Sequence, residues 1–148
     1  MRTTLSPEYS IGWDTRPEEV GTFRVLRTAV LLIVVRLALI VLDFQKTAAI
    51  VNRLSNAGNP RVSADPARVR ETNYKVSLAA AFIPARILCL ERSLVLFYEL
   101  KRSGVPAALR LGARAFPFAA HAWVELEGSP VNETPDFLKD FKPILELR

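Results

Sequence analysis

The sequence predicts an α+β fold in which a helical N-terminal half and one long helix precede an antiparallel sheet. Two patterns predict it. Apolar residues recur at helical spacing over residues 86–104, and they alternate with polar residues, as in strands, over 107–112 and 119–127. The 148 residues, of which 50% are hydrophobic and 24% are charged, fit one globular domain. We therefore expect a single domain that spans residues 1–148.

The N-terminal segment gives few structural signals. Residues 1–20 are predicted to form an extended arm, because two prolines within them disfavour a helix. This segment carries several acidic residues and no apolar stretch, so it does not resemble a secretory signal. The apolar residues of the next segment, 17–49, are dense enough for one or two helices. A Gly and an Asn-Pro pair mark a loop over residues 52–60.

Residues 29–42, with the sequence AVLLIVVRLALIVL, form the most apolar run of the chain. The run is shorter than the roughly 20 residues that a membrane-spanning helix needs, and Arg36 lies at its middle. We therefore expect no membrane span and a cytoplasmic protein, with the Arg36 guanidinium at an edge or paired with a carboxylate. The run either completes the core, which we favour because exposed apolar patches are uncommon on monomers, or docks another protein.

Two further helices have boundaries that can be located in the sequence. Asp65 and Pro66 provide an N-cap and a first-turn proline for one helix, and Pro84 ends it. The next helix begins near Arg86 and ends before Gly104, a residue type that is favoured just after a helix. Basic residues in its last turn complement the helix dipole.

Strands and a tail are predicted to follow the long helix. The strands over 107–112 and 119–127 lead into a turn at 128–130 and a short strand at 131–133. The tail from residue 136 onward mixes polar and apolar residues and should pack back onto the domain.

The composition limits the possible chemistry. The chain has one Cys, Cys89, and one His, His121, so neither an internal disulfide nor a zinc site of the usual Cys/His kind is possible. No metal or cofactor is therefore predicted. The net charge of +5 and the pI of about 9.8 favour anionic partners. The basic residues are spread and lack an aromatic platform, which argues against nucleic acid as the partner.

Cys89 and His121 nevertheless form a candidate catalytic pair. Cys89 lies in the first turn of the predicted long helix, where unpaired N–H groups and the helix dipole favour the thiolate. His121 can serve as its base. If the following hairpin turns around Glu127, His121 faces Glu133 across the strands, and the carboxylate can orient the imidazole. The three residues Cys89, His121 and Glu133 can thus act as nucleophile, base and orienting group.

Each of these residues also has a simpler interpretation. A lone Cys in apolar surroundings is most often inert, a lone His in a strand is often structural, and Glu133 alone would be a solvated carboxylate. Glu125 shares the predicted face of His121 and is a rival partner for the imidazole. Ser93, one turn after the Cys, either bonds within the site or is a tolerated helix residue. Asn132 is another possible orienting group, although strand parity directs it to the opposite face.

The motifs around these residues resemble a known class of enzymes. A Cys on a helix, a His on a strand and an acid on the next strand resemble the transglutaminase-like, papain-type cysteine enzymes. More locally, the segments LCLERSLVLFYELKRSGVPAALRLG, FPFAAHAWVELEG and VNETPD are similar to the cysteine leader peptidases of lasso-peptide biosynthesis. The resemblance covers residues 76–136. It implies a papain/transglutaminase-like catalytic core over 65–148, preceded by a helical N-terminal region over 1–60.

The resemblance also implies a function and residue roles. Enzymes of that family remove the leader from a ribosomally made precursor peptide, so that an asparagine-synthetase-like cyclase can close the macrolactam ring. It places the nucleophile at Cys89, the base at His121 and the third member, which is usually Asp in the family, at Glu133. Fused members carry a winged-helix-like leader-recognition domain, which the apolar helical half here does not resemble, so a separate leader-recognition protein is implied. Transglutaminase-like acyl transfer and a non-catalytic scaffold of a peptide-maturation complex are the alternatives.

Overall fold

The computed structural model describes residues 20–56 and 64–148, and it confirms the α+β prediction. Helices come first within these residues and an antiparallel sheet follows. Along the chain the elements are α1 (Thr22–Asn56), α2 (Pro66–Phe82), α3 (Cys89–Arg102), β1 (Ala107–Arg114), β2 (Ala119–Leu126), β3 (Ser129–Pro130), α4 (Pro135–Leu138) and β4 (Lys142–Leu147). Residues 1–19 of the expected arm and 57–60 of the expected loop lie outside the described residues, and the helix α1 occupies 52–56.

The sheet orders its strands β3-β2-β1-β4, and every neighbouring pair is antiparallel. The tail after residue 136 packs back as predicted, and it does so as an edge strand, because β4 pairs with β1. α3 packs on one face of β1 and β2, where Leu109, Val124 and Leu126 are fully buried. The long helix and the sheet therefore share one hydrophobic core, which fixes the start of α3 against β2.

Local capping interactions determine where the two middle helices begin. α2 starts at the predicted pair, where the Asp65 carboxylate accepts a hydrogen bond from a backbone N–H and Pro66 follows. α3 begins at Cys89, slightly later than expected, and the Glu91 carboxylate accepts a hydrogen bond from the backbone N–H just before the helix. Gly104, with a φ of 84°, follows the end of α3 as predicted.

α1 consists of two helical halves that meet at Asp43. The backbone of Asp43 is not helical, with a φ of 70° and a ψ of 170°, and its carboxylate accepts a hydrogen bond from the backbone N–H of Lys46. Asp43 therefore caps the second half of the helix. The inner side of the first half packs against α2 and α3, with Leu32 fully buried.

The outer side of α1 leaves large apolar side chains in contact with solvent. They recur at alternating steps of three and four residues, and we call them the α1 stripe: Phe23, Leu26, Val30, Ile33, Leu37 and Ile40. All of them are at least 44% exposed. The expectation that residues 29–42 complete the core therefore holds only for the inner side of the helix.

α1 is also the one helix in the described part of the chain that is long and apolar enough to cross a membrane by length and composition alone. This is weak evidence for a span, because core helices of soluble proteins pass the same test. Arg36, in the middle of the apolar run, donates a hydrogen bond to the backbone carbonyl of Arg86 and lies 3.7 Å from the Glu91 carboxylate. The predicted pairing of Arg36 with a carboxylate is thus confirmed.

Gly112 in β1 allows the indole of Trp123 to lie directly against the sheet. A Cβ at position 112 would lie 2.6 Å from Cη2 of Trp123 and 3.0 Å from the backbone oxygen of Lys142. We expect Gly112→Ala to lower the free energy of unfolding by about 1–3 kcal/mol, because the indole must move while the neighbouring backbone cannot. Urea denaturation measures this change.

The matched control for this substitution is Gly21→Ala, at a position where an added Cβ meets no atom within 4 Å. Its unfolding midpoint should stay near that of the wild type. A Gly112→Ala protein that is as stable as the wild type would show that the indole is not tightly held.

Candidate active site

Cys89 is the first residue of α3, so its side chain lies at the N-terminus of the central helix. The residue is half-buried and therefore not sealed in the core. Backbone N–H groups in the first turn of a helix have no partner within the helix, and the dipole adds partial positive charge there. This is the environment in which a thiolate is favoured over a thiol.

His121 is the third residue of β2, and its imidazole contacts both other candidate residues. Its Nε2 lies 2.8 Å from Oε1 of Glu133, and its ring forms a side-chain hydrogen bond with Cys89. Since the carboxylate engages Nε2, Nδ1 is the ring nitrogen left for the thiol. The structure thus brings together the three residues that the sequence singled out.

These contacts shift the proton affinities of the two central groups in opposite directions. The hydrogen bond with His121 lowers the pKa of the Cys89 thiol, and a backbone N–H of Ala122 adds to this effect, although burial opposes it. Hydrogen bonds with Cys89 and then Glu133 raise the pKa of His121 to about 9, again against the effect of burial. Both shifts favour a thiolate beside an imidazolium over a neutral thiol and imidazole. This is the state in which the sulfur is nucleophilic and the ring can give up a proton.

The hairpin between β2 and β3 has a register one residue away from the predicted one. The prediction centred the turn on Glu127 and paired His121 with Glu133 directly. The structure has a two-residue turn, Glu127-Gly128, in which both residues have positive φ, as in a type I′ turn. This turn shifts each cross-strand pair by one position, so the predicted pairing was wrong.

Glu133 reaches His121 because the ladder between the strands ends early. β3 comprises only Ser129 and Pro130, and residues 131–133, which were predicted as a strand, form a bend. The bend brings the Glu133 carboxylate to the imidazole despite the shifted register. The predicted contact is present, but the predicted reason for it is not.

The rival orienting groups are engaged elsewhere. Glu125 accepts a hydrogen bond from Nε1 of Trp123 and pairs with Arg110 at 2.9 Å. The side-chain amide of Asn132 bonds to a backbone N–H of β2 and to the hydroxyl of Ser93. Glu133 is therefore the carboxylate that contacts the imidazole, and Ser93 and Asn132 lie directly behind the site.

Aromatic rings enclose the imidazole, and the sequence analysis did not place Phe137 or Phe141 among them. The ring centroid of His121 lies 5.1 Å from that of Phe137 and 5.8 Å from that of Phe141, and the indole of Trp123 stacks beside it at 6.5 Å. Phe137 lies in α4, which begins where the Thr134 hydroxyl accepts a hydrogen bond from a backbone N–H. That cap, a Thr before a Pro, was the available signal for this short helix. These rings restrict rotation of the imidazole.

The described geometry can be compared with known proteins. A family model of the transglutaminase-like superfamily matches residues 30–146, which is more than half of the chain. The chain belongs to the transglutaminase-like superfamily. The match takes in all three candidate residues, and it confirms the superfamily part of the resemblance seen in the sequence. No curated protein and no solved structure matches the chain.

Membership of the transglutaminase-like superfamily points to a cysteine protease or acyltransferase type of enzyme. Both reactions begin in the same way, with a thiolate that attacks a carbonyl carbon and forms a thioester. They differ in the acceptor, because water completes hydrolysis and an amine completes acyl transfer. A helix-terminal sulfur, an imidazolium and a carboxylate in contact are suited to the shared first step.

Proposed function

We propose that this transglutaminase-like protein is a cysteine peptidase that cleaves the leader from a ribosomally made lasso precursor peptide. The observation that carries the proposal is the contact of His121 with both Cys89 and Glu133 at the start of α3. The similarity of the surrounding segments to lasso leader peptidases supplies the substrate class. The enzyme acts in the reducing cytoplasm, where a single free thiol stays reduced.

The proposed mechanism uses each member of the triad in turn. The Cys89 thiolate attacks the carbonyl at the leader–core junction, and the backbone N–H of Cys89 donates to the developing oxyanion. The His121 imidazolium protonates the leaving amine, which releases the core peptide and leaves the leader as a thioester on sulfur. His121 then takes a proton from water, and the resulting hydroxide hydrolyses the thioester to the leader carboxylate. Glu133 holds the ring throughout.

The core peptide leaves with a free N-terminal amine, which a separate asparagine-synthetase-like cyclase needs for macrolactam formation.

The test is incubation of the purified protein and its leader-recognition protein with the precursor, followed by mass spectrometry. Two fragments whose masses add up to precursor plus water support the peptidase. A joined product formed with loss of ammonia would mean transglutaminase-like acyl transfer, and an unchanged precursor would favour a scaffold module.

We further propose that the α1 stripe docks the separate leader-recognition protein. Apolar side chains at alternating steps of three and four residues form the seam by which one helix receives another element. The two halves of α1 also flank an apolar cavity of about 140 Å³, lined in part by Val34, Ile50 and Leu54 and by no residue of the stripe, which can accept an anchoring side chain next to the stripe. Large exposed apolar patches mark interaction sites.

A charged side chain introduced into the α1 stripe tests this docking. We expect Ile33→Glu to weaken binding of the purified leader-recognition protein at least tenfold, measured by calorimetry. Ile144→Glu is the matched control, because Ile144 is also exposed but lies in β4. Equal affinity of the two variants would exclude the stripe as the docking surface. If the wild type sediments as a dimer and Ile33→Glu as a monomer, the stripe is a self-association surface instead.

A further inference from the structure

One buried hydroxyl joins the three segments that carry the candidate triad. Ser93 lies one turn after Cys89 on α3, and its side chain is fully buried. Its Oγ donates a hydrogen bond of 2.9 Å to the carbonyl of Ala122, the residue after the candidate base. The same Oγ accepts a hydrogen bond of 3.0 Å from Nδ2 of Asn132, the residue before the candidate acid.

Asn132 links Ser93 to β2 at the position where the backbone hydrogen bonds between β2 and β3 end. Its Oδ1 accepts a hydrogen bond of 2.8 Å from the backbone N–H of Val124, so a side chain takes the place of the missing strand partner. The amide thereby holds the bend at residues 131–133 against both β2 and α3. The bend is the feature that brings Glu133 to the imidazole despite the register of the hairpin.

We propose that Ser93 and Asn132 are positioning residues that set the Cys89–His121–Glu133 geometry. Without the Ser93 hydroxyl, the Ala122 carbonyl and the Asn132 amide lose a buried partner, and the bend is no longer tied to α3. Small displacements of reacting groups cost large factors in rate, so a group behind the site can control the chemistry without touching the substrate. The effect on turnover rests on the proposed leader peptidase function, whereas the effect on the ionisation of the thiol does not.

Ser93→Ala tests the proposal with two readouts. The first is the pH dependence of Cys89 alkylation by iodoacetamide, which reports the thiolate and needs no substrate. We expect the alkylation midpoint to move about one unit to higher pH, so that the rate at a pH below both midpoints falls about tenfold, since a change of one pKa unit then changes the thiolate fraction about tenfold. The second is leader removal, in which kcat should fall roughly ten- to a hundredfold with KM little changed.

Two other variants separate positioning from general destabilisation. Ser55 is a matched control, because it is also buried and, within residues 20–56 and 64–148, its hydroxyl bonds to carbonyls of α1, so Ser55→Ala should leave both readouts at wild-type values. Asn132→Asp keeps the acceptor for the Val124 N–H and loses the donor to Ser93. It should reproduce the shift in alkylation, and it provides the test if Ser93→Ala does not fold.

The outcomes distinguish this proposal from the proposed function. Wild-type alkylation profiles and wild-type kcat in both Ser93→Ala and Asn132→Asp would overturn the positioning role, even if the precursor is cleaved. A shifted alkylation profile in a protein that cleaves no precursor would support the positioning role and reject the leader peptidase. A loss of activity in Ser55→Ala equal to that in Ser93→Ala would mean that stability alone explains the effect, which also overturns the proposal.

Discussion

Cys89→Ala should abolish the proposed leader removal, assayed with the purified protein and the proposed leader-recognition protein. The substitution removes the sulfur on which the thioester forms, and loss of a nucleophile from a coupled triad costs at least roughly 10³-fold in kcat. The His121–Glu133 contact does not involve that sulfur, so the base and its carboxylate should stay in place while the nucleophile is lost. Mass spectrometry of the precursor over a time course measures the residual rate.

Folding provides the control for Cys89→Ala. The position is half-buried and starts a helix, where Ala is tolerated, so the melting temperature should change little. Binding of the precursor should also persist, because the substitution removes a single sulfur atom. Leader removal at the wild-type rate in this variant would rule out Cys89 as the nucleophile.

Glu133→Ala should lose most of the activity, with a fall in kcat of roughly 10²-fold or more. The Glu133 carboxylate holds Nε2 of His121 at 2.8 Å and contributes to the raised pKa of the imidazole. Without this carboxylate the pKa of His121 falls, so the imidazolium loses its proton at a lower pH. The alkaline limb of the pH–activity profile therefore shifts to lower pH. Initial rates of leader removal measured against pH follow this shift directly.

Two conservative changes refine the test of Glu133. Glu133→Asp keeps the negative charge on a shorter side chain and should retain activity, because the leader peptidases that the sequence resembles usually carry Asp at this position and the bend can absorb one methylene. Glu133→Gln keeps the shape and removes the charge, so it should behave more like Glu133→Ala. Wild-type activity in Glu133→Ala would remove this residue from the triad.

Local signals in the sequence were sufficient for much of the fold and for the choice of site residues. The Asp65-Pro66 start of α2 and the Gly104 stop of α3 depend on backbone chemistry within a few residues, so they could be predicted. The positions of Cys89 at a helix start and His121 in a strand follow from the same kind of signal. Their contact needed only that the helix pack on the sheet.

The register of the hairpin and the role of Asn132 could not be predicted in this way. A Glu at a positive φ is uncommon, so Glu127 gave no sign that it forms half of a two-residue turn. A side-chain amide that replaces a strand partner depends on tertiary contacts with α3 and β2, which local pattern does not encode. The parity argument disfavoured Asn132 as the partner of the imidazole, but it assumed a hairpin register that the structure does not have, and it gave no indication of the bonds of Asn132 to Ser93 and Val124.

The N-terminal helix shows the limit of hydrophobic pattern alone. Apolar residues surround the first half of α1, so the pattern could not tell the side that packs on α2 and α3 from the exposed α1 stripe. The break at Asp43 could not be predicted either, because no local sequence signal requires a φ of 70° at an Asp. Its only local signal is a carboxylate suited to cap the half that follows.

The most direct test of the account is the pH dependence of Cys89 alkylation in the native wild-type protein, compared with that of His121→Gln. The account predicts labelling without denaturant at neutral pH, with a midpoint below the ordinary thiol pKa, because the His121 hydrogen bond lowers the pKa of Cys89. His121→Gln should move this midpoint upward, and only the wild type should show a second transition near pH 9, where the imidazolium loses its proton. Labelling that requires denaturation, or identical profiles for the two proteins, would contradict a thiolate–imidazolium pair.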